Sequence, residues 1–290
     1  MRLLSRSILS LLALGVLCCA GSVHAAARGC VFRVVAPGGG VLYLGGSWHA
    51  LRSSDYPLPA PYNRAFEAAN RLSFEIAPRD GKGMSRAMPR AGEYPRGDHL
   101  RNHVDPRTYD YLRRFFATQK IPEQRFSRYR PWFIAMSLGG GGGGEFSTRL
   151  GVESFLEKRA DANGKPINGL ESVKEHLEVF SGLSDRSSEA YLLITLIPEE
   201  KGSPDFDRML NAWRAGDIDF LANAVHSYFS DFPAMGERLL GARNRNWIPK
   251  IEQFIRSGQT YFVVVGAAHL GRRDGVIALL KARGYQVQQL

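Results

Sequence analysis

Cysteine is scarce in this chain. Its 290 residues include three cysteines, and two of them, Cys18 and Cys19, lie in an N-terminal segment that we expect to be removed. Cys30 would then have no partner for an internal disulfide, which excludes a disulfide-stabilised fold. Because Cys30 begins the first predicted strand, we interpret it as a small buried hydrophobic residue rather than as a nucleophile.

Long hydrophobic runs are also nearly absent. Residues 8–20 form one; it follows Arg2 and Arg6 and precedes the small-residue segment Val23-His24-Ala25. This order is typical of a secretory signal peptide with its cleavage site. The run is shorter than the roughly 20 apolar residues that a transmembrane helix needs, so an uncleaved membrane anchor is the weaker alternative. We predict a signal peptide over residues 1–25 and an exported, periplasmic protein.

Acidic residues are outnumbered by basic ones. The chain has 28 Asp and Glu against 38 Lys and Arg, a formal net charge of +10. Part of the excess comes from arginines dispersed between Arg79 and Arg130. We expect no nucleic-acid partner, since an exported protein does not meet nucleic acid. Weak attraction to an anionic membrane surface or an acidic polysaccharide is physically allowed, but a solvated basic face is the simpler interpretation.

Phosphate-binding motifs are missing. Six consecutive glycines, residues 139–144, are not followed by the Lys-Ser/Thr pair of a P-loop, so we predict a flexible tether there. Residues 79–104 combine glycine, proline and arginine with little periodicity, which indicates a long loop or an insertion. His99 and His103 lie within it, and we expect them at the surface.

Short apolar runs alternate with helical patterns along the rest of the chain. The runs predict strands over residues 31–36, 41–46, 72–76, 167–171, 260–265 and 285–289. Apolar residues at helical spacing predict helices over residues 61–70, 106–118, 151–162, 172–181, 186–200, 205–215, 217–229, 233–257 and 273–283, with a kink or break at Pro249. This order indicates an α/β (α+β) fold: a central mixed β-sheet with flanking helices and a helical middle region, in a single domain.

Two strands that lie far apart in the sequence end in the same pattern, Gly-x-x-His. One leads to His49 and the other to His269. Glycine at a strand end lets the chain turn sharply and approach a ligand closely. A single histidine is usually structural, but two such strand ends in one sheet would bring two imidazoles together. The repeated pattern therefore predicts a shared site.

Two glutamates occupy similar positions. Glu75 lies inside an apolar strand, where a charge is costly to bury unless it is paired or bound to a cation. Glu171 ends another strand. With the two histidines they could hold a divalent metal ion with room for an activated water, or act without metal as general acid and base. The structural alternatives are an ion pair of Glu75 with an arginine such as Arg243, and a favourable helix N-terminus for Glu171.

The same residues carry a resemblance to a known family. They occur in the order Gly46-Ser47-Trp48-His49, Tyr56-Pro57-Leu58-Pro59, Glu75, Gly169-Leu170-Glu171, Arg243-Asn244 and Gly266-Ala267-Ala268-His269. This series resembles the TraB/PrgY/GumN family, which includes the animal Wnt-cleaving proteases called TIKI. The resemblance covers residues 28–290 and is weakest over residues 79–147, which would be a variable insertion.

The resemblance implies an α/β core related to the erythromycin-esterase-like and haem-binding ChaN-like proteins. For TIKI it implies metal-dependent peptide hydrolysis. Transferred to this chain, His49, His269 and Glu75 would hold Mn²⁺, Co²⁺ or Zn²⁺, Glu171 would deprotonate water, and Arg243 would stabilise the oxyanion. We therefore expect an exported hydrolase acting on a peptide or other small-molecule substrate. Two alternatives stay open: a non-catalytic binding protein for a peptide, haem or glycan, and a metal-free esterase-like hydrolase.

Overall fold

The computed structural model describes residues 28–139, 145–196 and 206–290. The predicted signal peptide, residues 1–25, and residues 140–144 of the predicted glycine tether lie outside these ranges. Within the three ranges, no helix combines the length and the apolar character that crossing a membrane requires.

Within the described residues, six strands form one mixed sheet in the order β4-β3-β5-β2-β1-β6. Their bounds are β1 (Val31–Val35), β2 (Val41–Ser47), β3 (Arg71–Ile76), β4 (Ile167–Glu171), β5 (Tyr261–Gly266) and β6 (Gln286–Gln289). β1 and β2 form an antiparallel hairpin, and β6 pairs antiparallel with the other side of β1. The four strands β2, β5, β3 and β4 run parallel. Their carboxyl ends therefore meet at one edge of the sheet, where α/β proteins place their ligands.

Helices flank this sheet and fill the middle of the chain. They are α1 (Ala60–Ala68), α2 (Gly81–Gly92), α3 (Pro106–Thr118), α4 (Pro131–Gly139), α5 (Val152–Ala162), α6 (Val173–Ser181), α7 (Asp185–Leu196), α8 (Phe206–Ala215), α9 (Ile218–Ser227), α10 (Pro233–Gly236), α11 (Ala242–Arg256) and α12 (Val276–Lys281). The architecture confirms the predicted α/β fold with a central mixed sheet and a helical middle region.

Helix α2 corrects the prediction of a loop over residues 79–104. It packs Met84, Ala87, Met88 and Ala91 against the apolar cluster of the helical middle region, and these four share one face at helical spacing. Glycines and Pro89 lie within the same twelve residues and lower the intrinsic helix propensity. The prediction was wrong over residues 81–92, because tertiary packing stabilises a segment whose own propensity is poor, whereas residues 93–104 contain no α-helix.

The long helix predicted over residues 233–257 is irregular, but not at Pro249. That proline lies inside α11, which continues through it. The irregularity is a π-helical turn over Glu237–Gly241, between α10 and α11. Such a turn accommodates an extra residue and rotates the turn that follows, and it is frequent at functional sites. Here the following turn carries Arg243 and Asn244, so the π turn sets the direction in which these side chains point.

Two apolar clusters cover the two faces of the sheet. Along β5, Phe262 and Val264 belong to one cluster, whereas Val263 and Val265 belong to the other, as expected for a strand that is buried on both faces. Cys30 is fully buried in the first cluster. Burial raises the pKa of its thiol, which agrees with a structural rather than a nucleophilic role.

His103 lies in a loop, as the sequence predicts, but its side chain is partly buried between two carboxylates. Its Nδ1 lies 2.8 Å from Asp185 at the start of α7, and its Nε2 lies 2.7 Å from Asp98. The ring stacks on Tyr94 with 4.1 Å between centroids. Burial lowers the pKa of His103, but the hydrogen bonds to Asp185 and Asp98 outweigh burial and raise it. Through these two contacts the imidazole ties this loop to the helical region.

Candidate functional site

The strand-end residues singled out in the sequence lie at the carboxyl edge of the parallel strands. His49 follows β2, Glu75 is the second-last residue of β3, and Glu171 ends β4. His269 ends a short 3₁₀ turn directly after β5. Arg243, in the first turn of α11, joins this group through ion pairs with both glutamates. Four neighbouring strands thus supply one site, as the sheet order requires.

The centre of the site is the space above Gly266, the last residue of β5. A Cβ atom placed on Gly266 would lie 3.5 Å from His49 Nε2, 3.5 Å from Glu75 Oε1 and 3.5 Å from the His269 ring. The Gly266 amide also donates a hydrogen bond of 2.9 Å to Glu75 Oε1. Since glycine has no side chain, it leaves this space open for a small ligand. Both histidines and Glu75 therefore converge on one point.

Arg243 is a fixed link between the two glutamates. Its Nε donates to Glu171 at 2.8 Å, and its Nη2 donates to Glu75 at 2.6 Å and to Glu171 at 3.0 Å. Its Nη1 lies 3.4 Å from the Leu239 carbonyl and 3.3 Å from His269 Nε2. These contacts engage all five N–H bonds of the guanidinium. In this arrangement Arg243 has no N–H bond left for a substrate oxygen.

Glu171 is buried and fully hydrogen-bonded. Its Oε1 accepts from Arg243 and from Trp247 Nε1 at 2.8 Å, and its Oε2 accepts from Arg243 and lies 3.0 Å from His176 Nδ1. Burial raises the pKa of Glu171, but the hydrogen bonds from His176 and Arg243 outweigh it and lower the pKa. Glu171 is therefore an ionised anchor that holds the guanidinium in place.

Glu75 is the carboxylate that faces the open space. Burial raises its pKa, but the charges of Arg243, His269 and His49 and the Gly266 hydrogen bond together outweigh burial and hold the pKa well below the usual range for a carboxyl. Its Oε1 is 3.9 Å from His269 Nε2. Glu75 is thus ionised at neutral pH. One of its oxygens is paired with Arg243, and the other faces the space above Gly266.

His269 is buried, and its hydrogen bonds fix both the orientation and the tautomer of its ring. Its Nδ1 donates to Asn244 Oδ1 at 2.6 Å, and Asn244 Nδ2 donates in turn to the Asp274 carbonyl at 2.9 Å. That bond assigns the proton to Nδ1, so Nε2 carries a lone pair, which faces Arg243 Nη1 at 3.3 Å. Burial is the main cause that lowers the pKa of His269 to about 4. The imidazole is therefore neutral at physiological pH.

His49 is paired with Glu153, a residue of the first turn of α5. Its Nδ1 lies 2.6 Å from Glu153 Oε1, and its side chain is 67 % exposed, against 6 % for His269. The charge of Glu153 raises the pKa of His49 to about 9. Burial raises the pKa of Glu153, but His49 outweighs it and lowers that pKa. The His49 imidazole is thus the part of the site that solvent and substrate reach first.

A close backbone approach places Glu153 beside His49. The Val152 amide donates to the Trp48 carbonyl at 3.1 Å, which docks the start of α5 onto the chain leaving β2. Gly151 allows this, since a Cβ there would lie 2.2 Å from the His49 carbonyl oxygen. Any larger residue at position 151 would push α5 away. Glycine is therefore required at the junction that brings the two side chains together.

A cleft of about 180 Å³ opens onto the site, and its lining includes His49, Glu75, Glu153, His176, Phe74, Ile76 and Pro78. The mouth thus combines ionisable groups on one side with apolar side chains of β3 and the turn after it. The cleft therefore offers a ligand both apolar contact and polar groups that can fix its orientation.

Four contributors to the site were not assigned from the sequence: Glu153, His176, Asn244 and Trp247. All four lie on helices. The local signal at Glu153 was an acidic residue in the first turn of a helix, which ordinarily indicates only a favourable interaction with the helix dipole. Which helix side chains meet a strand end depends on how the helices dock, and a single sequence does not display that.

Comparisons with known proteins identify the family of the chain. Searches of curated proteins and of solved structures returned no match. The family model described as the TraB/PrgY/gumN family matches residues 31–289. This range includes all six strands and every residue of the site described above. The chain therefore belongs to the TraB/PrgY/gumN family.

Proposed function

We propose that this protein is an exported hydrolase that acts on peptides at the carboxyl edge of its sheet. The observation that carries the proposal is the convergence of His49 Nε2, Glu75 Oε1 and the His269 ring on the space above Gly266, at 3.5 Å each. A cleft that reaches solvent opens beside this point. Export rests on the N-terminal sequence alone, whose residues lie outside the described ranges.

The donor atoms fit a divalent metal ion held by His49, Glu75 and His269. Each imidazole commits Nδ1 to a side-chain oxygen, of Glu153 in one case and of Asn244 in the other, and this is how proteins orient metal-binding histidines. Among the described residues, no group of three His, Cys, Asp or Glu side chains already stands at ligand spacing. Binding would therefore draw the three side chains inward and would displace the proton from His49.

The charge of the site also favours a cation. Glu75 and Glu171 pair with the single guanidinium of Arg243 and Glu153 pairs with His49, so with His49 neutral the group has a negative excess. When bound there, Mn²⁺, Co²⁺ or Zn²⁺ would supply a water of lowered pKa and would polarise a carbonyl oxygen.

We assign the remaining roles from the hydrogen bonds of the chain. Glu153 orients His49 and, at the cleft wall, accepts a proton during the reaction. Asn244 fixes His269. Since Glu171 and Arg243 are fully engaged with each other and with their neighbours, we assign both to positioning Glu75, in place of the water-activating and oxyanion-binding roles that the resemblance implies.

A metal-free hydrolase is the second candidate, and the His49–Glu153 pair favours it. An imidazole held at Nδ1 by a carboxylate, with Nε2 facing the substrate space, is the arrangement of a general base that activates water. In this version the neutral form of His49, whose fraction rises as the pH approaches its pKa of about 9, would take the proton, and Glu153 would stabilise the imidazolium that forms.

The two candidates and the non-catalytic alternative separate in one experiment. The purified protein is supplied with Mn²⁺, Co²⁺ or Zn²⁺ and assayed with a library of quenched fluorescent peptides. We expect cleavage by the wild type and by a His99→Ala control, and no cleavage by folded His49→Ala or His269→Ala variants. Activity that disappears on chelation supports the metal enzyme, and activity that survives it supports the metal-free one. No cleavage under any condition would overturn the hydrolase proposal in favour of a binding protein.

A further inference from the structure

Helix α2 and the turn before it expose a basic face. Arg79, Lys82, Arg86 and Arg90 are all exposed. Arg79 lies in the 3₁₀ turn before α2, and the other three, at 3.6 residues per turn, fall within an arc of about 80° on one side of α2. The opposite side carries the methionines and alanines that pack against the helical middle region. The segment is thus an amphipathic helix whose solvent face is positively charged.

No ion pair within the described residues neutralises this face, although Glu157 and Asp161 line a surface pocket beside Arg79. None of the four basic side chains forms an ion pair with any described residue, although other arginines of the protein do, such as Arg128 with Glu93 at 3.2 Å. Asp80 is the acidic residue within the segment, and it lies about 100° around the helix from Arg79. We call Arg79, Lys82, Arg86 and Arg90 the α2 basic face.

The α2 basic face begins at the rim of the cleft. Pro78, the residue before Arg79, lines the cleft itself. Gly83 lies against Val173 at the start of α6, with 3.7 Å between its Cβ position and Val173 Cγ2, and the same helix carries His176 of the cleft wall. From Arg79 to Arg90 the face extends for about 17 Å. A chain leaving the cleft along α2 would therefore meet four positive charges in succession.

We propose that the α2 basic face binds acidic side chains of the peptide substrate, outside the bond that is cleaved. This proposal rests on the proposed function, because it names the class of peptide that the same site takes. The cleft lining includes two carboxylates, Glu75 and Glu153, and no lysine or arginine, so acidic side chains are attracted along α2 rather than into the cleft. An extended peptide rises about 3.3 Å per residue, so about five residues span the face.

A membrane surface is the competing occupant, and the structure favours the peptide. Binding to a bilayer surface by an amphipathic helix buries its apolar side in lipid, but the apolar side of α2 is already packed against the protein core. Large exposed hydrophobic residues among the described parts of the chain are limited to Phe206, which lies on α8. The α2 basic face therefore offers charge without an apolar anchor.

The test compares two variants that lose the same charge. The basic-face variant is Lys82→Gln/Arg86→Gln/Arg90→Gln, which leaves Arg79 at the cleft rim intact. The matched control is Arg64→Gln/Arg273→Gln/Lys281→Gln, three exposed basic residues without a described ion pair elsewhere on the surface. The probes are a fluorescein-labelled peptide with glutamate at alternate positions and the same peptide with glutamine instead. Binding is measured by anisotropy and cleavage by mass spectrometry.

We expect the wild type and the control to bind the glutamate peptide about tenfold tighter than the glutamine peptide at low salt. The basic-face variant should bind both peptides alike, and 1 M NaCl should remove the preference in every protein. Equal binding of both peptides by the wild type, or an unchanged preference in the basic-face variant, would overturn the proposal. The proposal would also be overturned if the basic-face variant lost binding to phosphatidylglycerol vesicles but kept the preference for the glutamate peptide. Preferential binding without cleavage would instead contradict the hydrolase proposal and leave the acidic-ligand face standing.

Discussion

Two glycines at the site edge predict opposite outcomes for the same substitution. Gly266 ends β5 and Gly46 lies in β2, and the two strands are paired in parallel. At Gly266 the nearest atoms to an added Cβ are 3.5 Å away, which is ordinary van der Waals contact, and the backbone φ of −49° suits alanine. At Gly46 an added Cβ would lie 2.8 Å from Cys30 Cβ and 3.0 Å from Ala267 Cα.

The magnitudes follow from these distances. Gly266→Ala loses no contact and restricts the unfolded chain, so we expect the free energy of unfolding to stay the same or to rise by up to about 1 kcal/mol. Gly46→Ala overpacks a core position against backbone, which typically costs about 1–3 kcal/mol. Function should follow the opposite order, because the methyl group at position 266 fills the space between His49, Glu75 and His269. The stable variant should be the inactive one.

Urea denaturation of both variants measures stability, and peptide cleavage with isothermal titration of Mn²⁺ measures function. We expect Gly266→Ala to unfold at or above the wild-type midpoint without detectable cleavage or metal binding. Gly46→Ala should unfold earlier, while the fraction that is still folded retains activity. Wild-type cleavage by Gly266→Ala would refute the assignment of the space above Gly266 as the reacting centre. A loss of more than about 2 kcal/mol in Gly266→Ala would refute the packing argument.

Three further substitutions test separate parts of the account. Arg243→Met leaves two buried carboxylates without their cation, so we expect a loss of about 3–5 kcal/mol in urea denaturation. His103→Gln removes an imidazole whose pKa is raised in the folded state, so the stability it contributes is present below the unfolded pKa of about 6.5 and is lost as pH rises through the folded value. The difference between wild type and His103→Gln should therefore be about 1 kcal/mol at pH 5.5 and near zero at pH 9. Glu153→Gln should fold normally and lower peptide turnover by about 100-fold, since it removes the carboxylate that orients the exposed histidine.

Each of these predictions has a result that contradicts it. A loss below about 1 kcal/mol for Arg243→Met would mean that the two carboxylates are neutral or solvated rather than paired. A stability difference for His103→Gln that grows from pH 5.5 to pH 9 would have the wrong sign for a raised pKa. Full turnover in Glu153→Gln would remove Glu153 from the reaction and leave His49 to act without a partner.

The strand-end part of the site was predictable from the sequence because its signals are local. An apolar run closed by glycine marks where a buried strand ends, so the positions of His49 and His269 followed from the chain itself. Glu75 was conspicuous as a charge within an apolar strand. Its ion pair with Arg243, one of the alternatives weighed from the sequence, is present at 2.6 Å.

The helical part of the site was not predictable in the same way. Glu153 and Asn244 touch the two histidines only because α5 and α11 dock in particular orientations, and the π turn before α11 shifts one of these orientations. Helix α2 was missed for a related reason, since its glycines and proline oppose a helix that packing stabilises. Local propensity identifies elements, but contacts between elements depend on the assembled fold.

The most direct test of the central claim is the stoichiometry of Mn²⁺ binding by isothermal titration. The wild-type protein and the His49→Ala/His269→Ala double variant are compared, with His99→Ala as the control and circular dichroism to establish that each is folded. The account predicts about one ion per chain in the wild type and the control, and none in the double variant. Equal binding by the wild type and the folded double variant, or no binding by the wild type, would contradict a metal centre in the space above Gly266.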